Sequence, residues 1–278
     1  MSKNRQGFAF YTSIFWIFLL FVTMFCYLLA KQTGEFKLGF RMTWFEVGLL
    51  KNYSIEKYID VLDKFKFNGV ILEIWPWSQK SLDLRDAVNA YAAGKQFLKM
   101  VIVGGNGYLD MGVVNMFKDY DYVMVIDDAG DLDREDLILL KNMGLKTAML
   151  HGYYPSQMRG LFNEGLVDYS MFMNYPIYEG DSEADSLQKL KQYRREVIEV
   201  KSWITKGMTY IPTVQFFGKA HMNWRFPTVK ELEYIIDSCK LASVDGLKFM
   251  MPWTGQSDRG EYFEGWLDHP ETWPIILK

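Results

Sequence analysis

Cysteine is nearly absent: the chain of 278 residues carries two, Cys26 and Cys239. One falls in an apolar N-terminal stretch and the other in a predicted amphipathic helix, so a bridge between them is not expected. No CxxC or other zinc-binding spacing is present. Cysteine poverty fits either redox compartment. Other signatures are missing too. No HxH or CxxxCxxC arrangement supports a histidine metal site or a radical cluster, and no Gly-rich phosphate loop or GxSxG turn occurs. No cofactor is expected. An excess of positive charge is also lacking. With 31 Lys and Arg against 34 Asp and Glu, the net charge of −3 offers no nucleic-acid surface. There is no low-complexity tract and no long linker to a second domain.

Charge is missing altogether from residues 8–30 (FAFYTSIFWIFLLFVTMFCYLLA). That run is about the length of a spanning helix, ~20 residues, whereas a cleaved secretory signal has an apolar stretch of only ~7–15. Leu28 and Ala30 make a poor cleavage site. Lys3 and Arg5 precede the run and Lys31, Lys37 and Arg41 follow it, so the charge bias is slight, but a short N-terminal tail favours the cytoplasmic side. The expectation is a cytoplasmic tail at 1–7, a transmembrane signal anchor at 8–30 and a tether at 31–36. The domain at 37–278 would then stand outside the cytoplasm, close to the bilayer.

Past the tether, strand and helix signals alternate. Strands are predicted at 36–44, 68–77, 97–105, 122–129, 146–154, 167–178, 208–218 and 244–253. Helices are predicted between them, at 53–67, 81–94, 109–119, 131–143, 155–164, 182–206 and 228–243. Ser182 with Asp185, and Thr228 with Glu231, have capping-box spacing, and Gly144 and Gly207 stop the helices before them. Eight such units in about 245 residues predict a (β/α)8 TIM barrel. A doubly wound sheet is the alternative, but it would bring a Gly-rich first turn that is not there. The tail at 254–278, with Trp266 and Trp273, is expected to pack across the barrel.

The second predicted strand, NGVILEIWPW (68–77), is the most telling stretch. Period-2 alternation puts Ile71, Glu73 and Trp75 on one face, and an acid kept at the end of an apolar, indole-rich strand is costly unless it binds or reacts. Catalysis in a TIM barrel happens at the C-terminal ends of the strands. Glu73 there suits a general acid, its carboxyl raised in pKa by apolar surroundings, unless Arg41 on the neighbouring strand makes it a structural ion pair. Asp127 and Asp128 end the fourth strand as a second carboxylate, unless they cap the helix that follows. Arg41, His151, Asn174, Tyr175 and Gln215 are expected to bind substrate, with Trp75, Trp77 and Trp253 as stacking platforms. Arg41, Asn174 and Gln215 are placed on barrel-facing positions. His151 also fits the simpler role of a satisfied buried imidazole. Lys248, in mid-strand, reads as a buried partner for a carboxylate.

These residues carry a resemblance. Residues 172–175 (FMNY) resemble the Met-x-Tyr of the chitinase-like clan of TIM-barrel glycoside hydrolases. Residues 69–75 (GVILEIW) resemble the strand of chitinase-like domains where an acid precedes an indole. The fourth strand departs, ending in VMVIDD (123–128) in place of the clan's Asp-x-x-Asp-x-Asp-x-Glu, and Pro176 follows the Tyr where an Asp is usual. The resemblance implies a barrel hydrolase with a carbohydrate substrate. Two other readings compete. One is an inert barrel that binds a glycan or scaffolds an envelope complex. The other is a hydrolase with a divalent cation held by Glu73, Asp127 and Asp128.

Overall fold

The computed structural model describes residues 39–46, 53–74, 78–105, 107–127, 133–219, 222–250, 252–256 and 262–277. All of them fall within the compact unit Leu38–Lys278. The expected tail, anchor and tether lie outside the described residues, as do Trp75, Trp77 and Asp128. Among the described residues, no helix is long and apolar enough to cross a membrane.

A parallel sheet organises the domain. Its strands are β1 (Phe40–Glu46), β2 (Gly69–Glu73), β3 (Leu98–Gly105), β5 (Val123–Asp127), β6 (Thr147–His151), β7 (Tyr169–Phe172), β8 (Thr209–Tyr210), β9 (Thr213–Val214) and β11 (Gly246–Phe249). They pair in the order β8-β7-β6-β5-β3-β2-β1-β11-β9. The two ends of that path, β8 and β9, belong to one stretch of chain. Pro212, which has no N–H to give to a ladder, divides it. On one side Ile211 N–H donates to Ser170 O at 2.9 Å, and on the other Lys248 N–H donates to Pro212 O at 3.1 Å. The sheet therefore curls until its ends meet, as a TIM barrel does.

Helices α1 (Ile55–Lys64), α2 (Gln79–Ala92), α3 (Met111–Phe117), α4 (Asp133–Asn142), α5 (Pro155–Asn163), α6 (Glu183–Trp203) and α7 (Val229–Leu241) connect the strands. Both expected capping boxes form. Ser182 Oγ accepts from Asp185 N–H at 3.2 Å, and Thr228 Oγ1 from Glu231 N–H at 3.4 Å. Gly144 and Gly207 take φ of +74° and +94° after their helices, where a side chain would be strained.

In-register neighbours in a parallel sheet point the same way, so the inward face can be followed strand by strand. Trp44 stands beside Ile71, Ile71 beside Met100, and Met100 beside Val123. These residues, with Met42, Val125, Ala148, Leu150 and Met171, form the buried filling of the barrel. Strands buried on both faces show little polar alternation.

Several expected strands end elsewhere than predicted, the fifth stopping at His151 and the eighth at Phe249. β1 starts and finishes later, at Phe40 and Glu46, and β7 stops at Phe172. The seventh strand breaks at Pro212, and its last part, β10 (Phe217–Lys219), joins β12 (Gly255–Gln256) and β13 (Tyr262–Gly265) in a separate antiparallel sheet. The described part of the tail packs against the chain that follows α1. Trp266 is fully buried against Phe65 and Phe67, at 4.7 and 6.1 Å between ring centroids, and Trp273 meets Phe65 at 5.4 Å.

Candidate active site

Two acids stand on the inward face at the C-terminal ends of their strands. Glu73 closes β2 on the same face as Ile71, and Asp127 closes β5 on the same face as Val123 and Val125. Both are half-buried, and both line one cleft of about 340 Å3. The Trp44 indole donates its Nε1–H to Glu73 Oε2 at 3.0 Å. One buried indole thus fixes an oxygen of the carboxylate.

The strand between the two acids makes room for the cleft. β3 carries a register shift between Ile102 and Gly104, then turns back through β4 (Tyr108–Leu109), which pairs antiparallel with Gly104 and Gly105. A bulge of this kind commonly re-aims side chains beside a site. Gly105 also has no space for a side chain, since an added Cβ would lie 2.2 Å from the Asp127 carbonyl oxygen. Gly105→Ala is expected to push β3 off β5 at the cleft and cost about 1–3 kcal/mol. A thermal melt lowered by several degrees would bear this out. An unchanged melt would show that the two strands separate freely there.

The remaining wall includes Tyr108, Asp110 and Val113. Asp110 caps α3, its Oδ1 accepting from Val113 N–H at 3.1 Å, so its carboxylate serves the helix. Tyr108 is 57% exposed on the β4 turn and was not anticipated; the only sequence signal for it is a lone Tyr one residue beyond a Gly. Glu46, also unanticipated, stands beside Glu73 in register at the end of β1.

The structure places several expected site residues away from this cleft. Arg41 is the second residue of β1 and lies on the face opposite Met42 and Trp44. Its N–H donates to Asn68 Oδ1 at 2.7 Å, and burial lowers the pKa of its guanidinium. It sits at the other end of the strand from Glu73 and on the other face. Asn174 turns to the helix layer, where its Nδ2 donates to Glu196 Oε2 at 2.5 Å on α6. Gln215 is fully buried and tied to backbone. Its Oε1 accepts from Ile177 N–H at 2.9 Å, and its Nε2 donates to the carbonyls of Ile177 and Arg225 at 3.0 and 3.2 Å. Trp253 is buried against Phe45, Tyr53 and Tyr58, with centroids 4.3–5.5 Å away, and offers no open face for stacking. Tyr175 does face inward, where it meets Phe217 and Trp224 and donates its hydroxyl to Met250 Sδ at 2.8 Å.

His151 makes the contacts of a satisfied buried imidazole. Its Nδ1 is 2.8 Å from the Gly152 carbonyl, which only accepts, so Nδ1 carries the proton and Nε2 accepts from Ser170 Oγ at 2.8 Å. Burial drives its pKa from 6.5 down to about 4. In the unfolded chain it would titrate normally, so the native state binds fewer protons between those values. Stability from this group is present above about pH 6.5 and is lost as pH falls toward about 4, at a cost of about 3 kcal/mol. His151→Gln is expected to flatten that part of the stability–pH curve in urea titrations. A slope identical to wild type would mean that His151 stays protonated in the fold.

Lys248, expected as a buried partner for a carboxylate, stands on the inward face. It is completely buried, in register with Met42 on β1 and Thr213 on β9. Its Nζ lies 4.5 Å from the centroid of the Trp44 ring and has no hydrogen-bond partner among the described residues. Burial lowers its pKa to about 7, while Asp127 and Glu73 raise it. Among the described residues, no group of three or more His, Cys, Asp or Glu side chains converges as a cation site would require.

No family model and no curated protein matches the chain in sequence. Solved structures do match in shape. A glycoside hydrolase family 5 protein from Bacteroides vulgatus superposes with a TM-score of 0.55 at 13% identity, over 83% of this chain and 64% of its own. The shared fold is the TIM barrel. A GH99 endo-alpha-mannosidase from Bacteroides thetaiotaomicron gives a TM-score of 0.54 at 11% identity, over 86% of this chain and 95% of its own. The spore cortex-lytic enzyme SleL from Bacillus cereus gives 0.53 at 12%, over 86% and 74%. The chain spans less than two thirds of the length of the Bacteroides vulgatus structure. At such identities the likeness establishes the fold, while function rests on the site.

Proposed function

We propose that this protein is a glycoside hydrolase in which Glu73 and Asp127 flank the bond to be cleaved. One observation carries the proposal. Two inward carboxylates, on strands separated only by β3, line one cleft at the end of the barrel where this fold does its chemistry. Such a pair is the equipment of glycosidic cleavage. One carboxyl protonates the leaving oxygen, and the other either attacks the anomeric carbon or activates water, with the separation between them setting retention or inversion. Asp128 stays in this reading as an alternative second carboxylate, from its place one residue beyond β5. Trp75 and Trp77, just past β2, are proposed as stacking platforms, and Tyr175 as a substrate contact.

The uncharged run at 8–30, with Lys3 and Arg5 before it, supports a membrane anchor that leaves the barrel outside the cytoplasm. The proposed substrate is therefore an exported polysaccharide or an envelope glycan. Incubation of the full-length protein in detergent with a panel of such glycans is expected to release reducing ends. Saturable glycan binding by calorimetry without any turnover across the panel would replace this reading with that of an inert glycan-binding barrel.

A further inference from the structure

The hydrolytic reading accounts for Glu73 and Asp127 but leaves a buried lysine unexplained. Removing an ammonium from water is costly unless something in the protein answers its charge. Among the described residues, Lys248 Nζ has no hydrogen-bond partner. What it has is a π face and two acids. Its Nζ stands 4.5 Å from the Trp44 centroid, and the same indole donates Nε1–H to Glu73 Oε2 at 3.0 Å. A cation over an indole draws electron density from the ring, which makes the ring N–H a stronger donor. The lysine thus reaches Glu73 through Trp44. Asp127 and Glu73 both favour its charged form.

We infer that Lys248 is a positioning residue of the cleft, a buried ammonium that holds Glu73 and Asp127 ionised until a glycan enters. The inference rests on the hydrolytic reading for its purpose but not for its physics. Glu73 and Asp127 taken together with the ammonium carry one net negative charge in place of two. Both acids stay deprotonated while the cleft is open, and the charge that answers them is fixed beneath them rather than drawn from solvent. When a glycan displaces water, the same fixed charge decides which carboxyl takes the proton needed by the leaving oxygen. The titratable groups acting on Lys248 or acted on by it are Glu73 on β2, Asp127 on β5 and, from the outer face of β6, His151. Burial brings the lysine's own titration to about 7, so the ammonium is lost just above neutrality.

The test needs no substrate. Carboxyl-13C NMR of selectively labelled protein follows Glu73 and Asp127 through a pH titration. In wild type, each resonance is expected to show its own protonation step plus a second, smaller step near pH 7 as Lys248 loses its proton. In Lys248→Met the second step should vanish and both carboxyl pKa values should rise by about one or more. Trp44→Phe keeps a ring but loses the N–H. It should raise the Glu73 value and leave Asp127 nearly unmoved, which keeps the proposal testable should Lys248→Met fail to fold. Unchanged titrations in either variant, or no step near pH 7 in wild type, would overturn the inference. If the titrations move as described but the glycan panel yields no turnover, the hydrolytic reading fails while the electrostatic role stands.

Discussion

Glu73→Gln and Asp127→Asn are each expected to lower glycan turnover by about 10²–10⁴-fold, with KM changed little. Both substitutions keep side-chain volume. The amide introduced by Glu73→Gln can still offer an oxygen to the Trp44 Nε1–H, so the contact now seen at 3.0 Å has a replacement and the fold should hold. What each variant loses is a group that can carry charge or a proton. The two losses differ in kind. A missing general acid is bypassed when the leaving group needs no proton, so activated aryl glycosides should restore much of the rate in that variant. A missing nucleophile or base slows the reaction whatever the leaving group. The variant rescued by an aryl glycoside therefore identifies the acid. Full activity in both variants would remove these carboxylates from the mechanism.

Lys248→Met is expected to make the protein more stable and less active. A buried lysine with a folded pKa near 7 and an unfolded value of 10.5 binds its proton less well in the native state. The native state therefore bears its full penalty below about pH 7, of the order of 5 kcal/mol, and stability rises as pH climbs from about 7 to 10.5. Methionine is of similar length and carries no charge, so it should recover part of that penalty, about 1–4 kcal/mol at pH 6. The rest is offset by loss of the charge that answers Glu73 and Asp127. Urea unfolding at pH 6 and pH 9 reads the effect directly. Wild type should gain stability between the two, and the variant should gain much less. Parallel curves would show that Lys248 keeps its proton at both. Such a trade, stability given up to hold a charge under a reactive cleft, is common at functional sites.

The rhythm of the barrel was legible because its signals are local. Capping boxes at Ser182 and Thr228, stops at Gly144 and Gly207, and apolar runs of strand length each report on a few residues. Glu73 and Asp127 were legible for the same reason, as acids ending apolar runs. The faces of the strands were harder. A barrel strand is apolar on both sides, so polarity cannot say whether Asn174 or Gln215 points in or out, and both proved to serve the scaffold. Strand ends were also hidden. Starting β1 at Phe40 moves Arg41 from the mouth to the base of the strand, and Pro212 divides a strand that hydropathy reads as one. Lys248 stood out in sequence, but its link to Glu73 runs through an indole far away in the chain.

The cleft between Glu73 and Asp127 is best tested by one comparison: reducing-end release from an envelope glycan by wild type and by the Glu73→Gln, Asp127→Asn double variant. The two preparations should be matched for folding by circular dichroism. Wild type should give steady release and the double variant none above background, with glycan binding kept. Release at equal rates by both would place the chemistry elsewhere in the molecule.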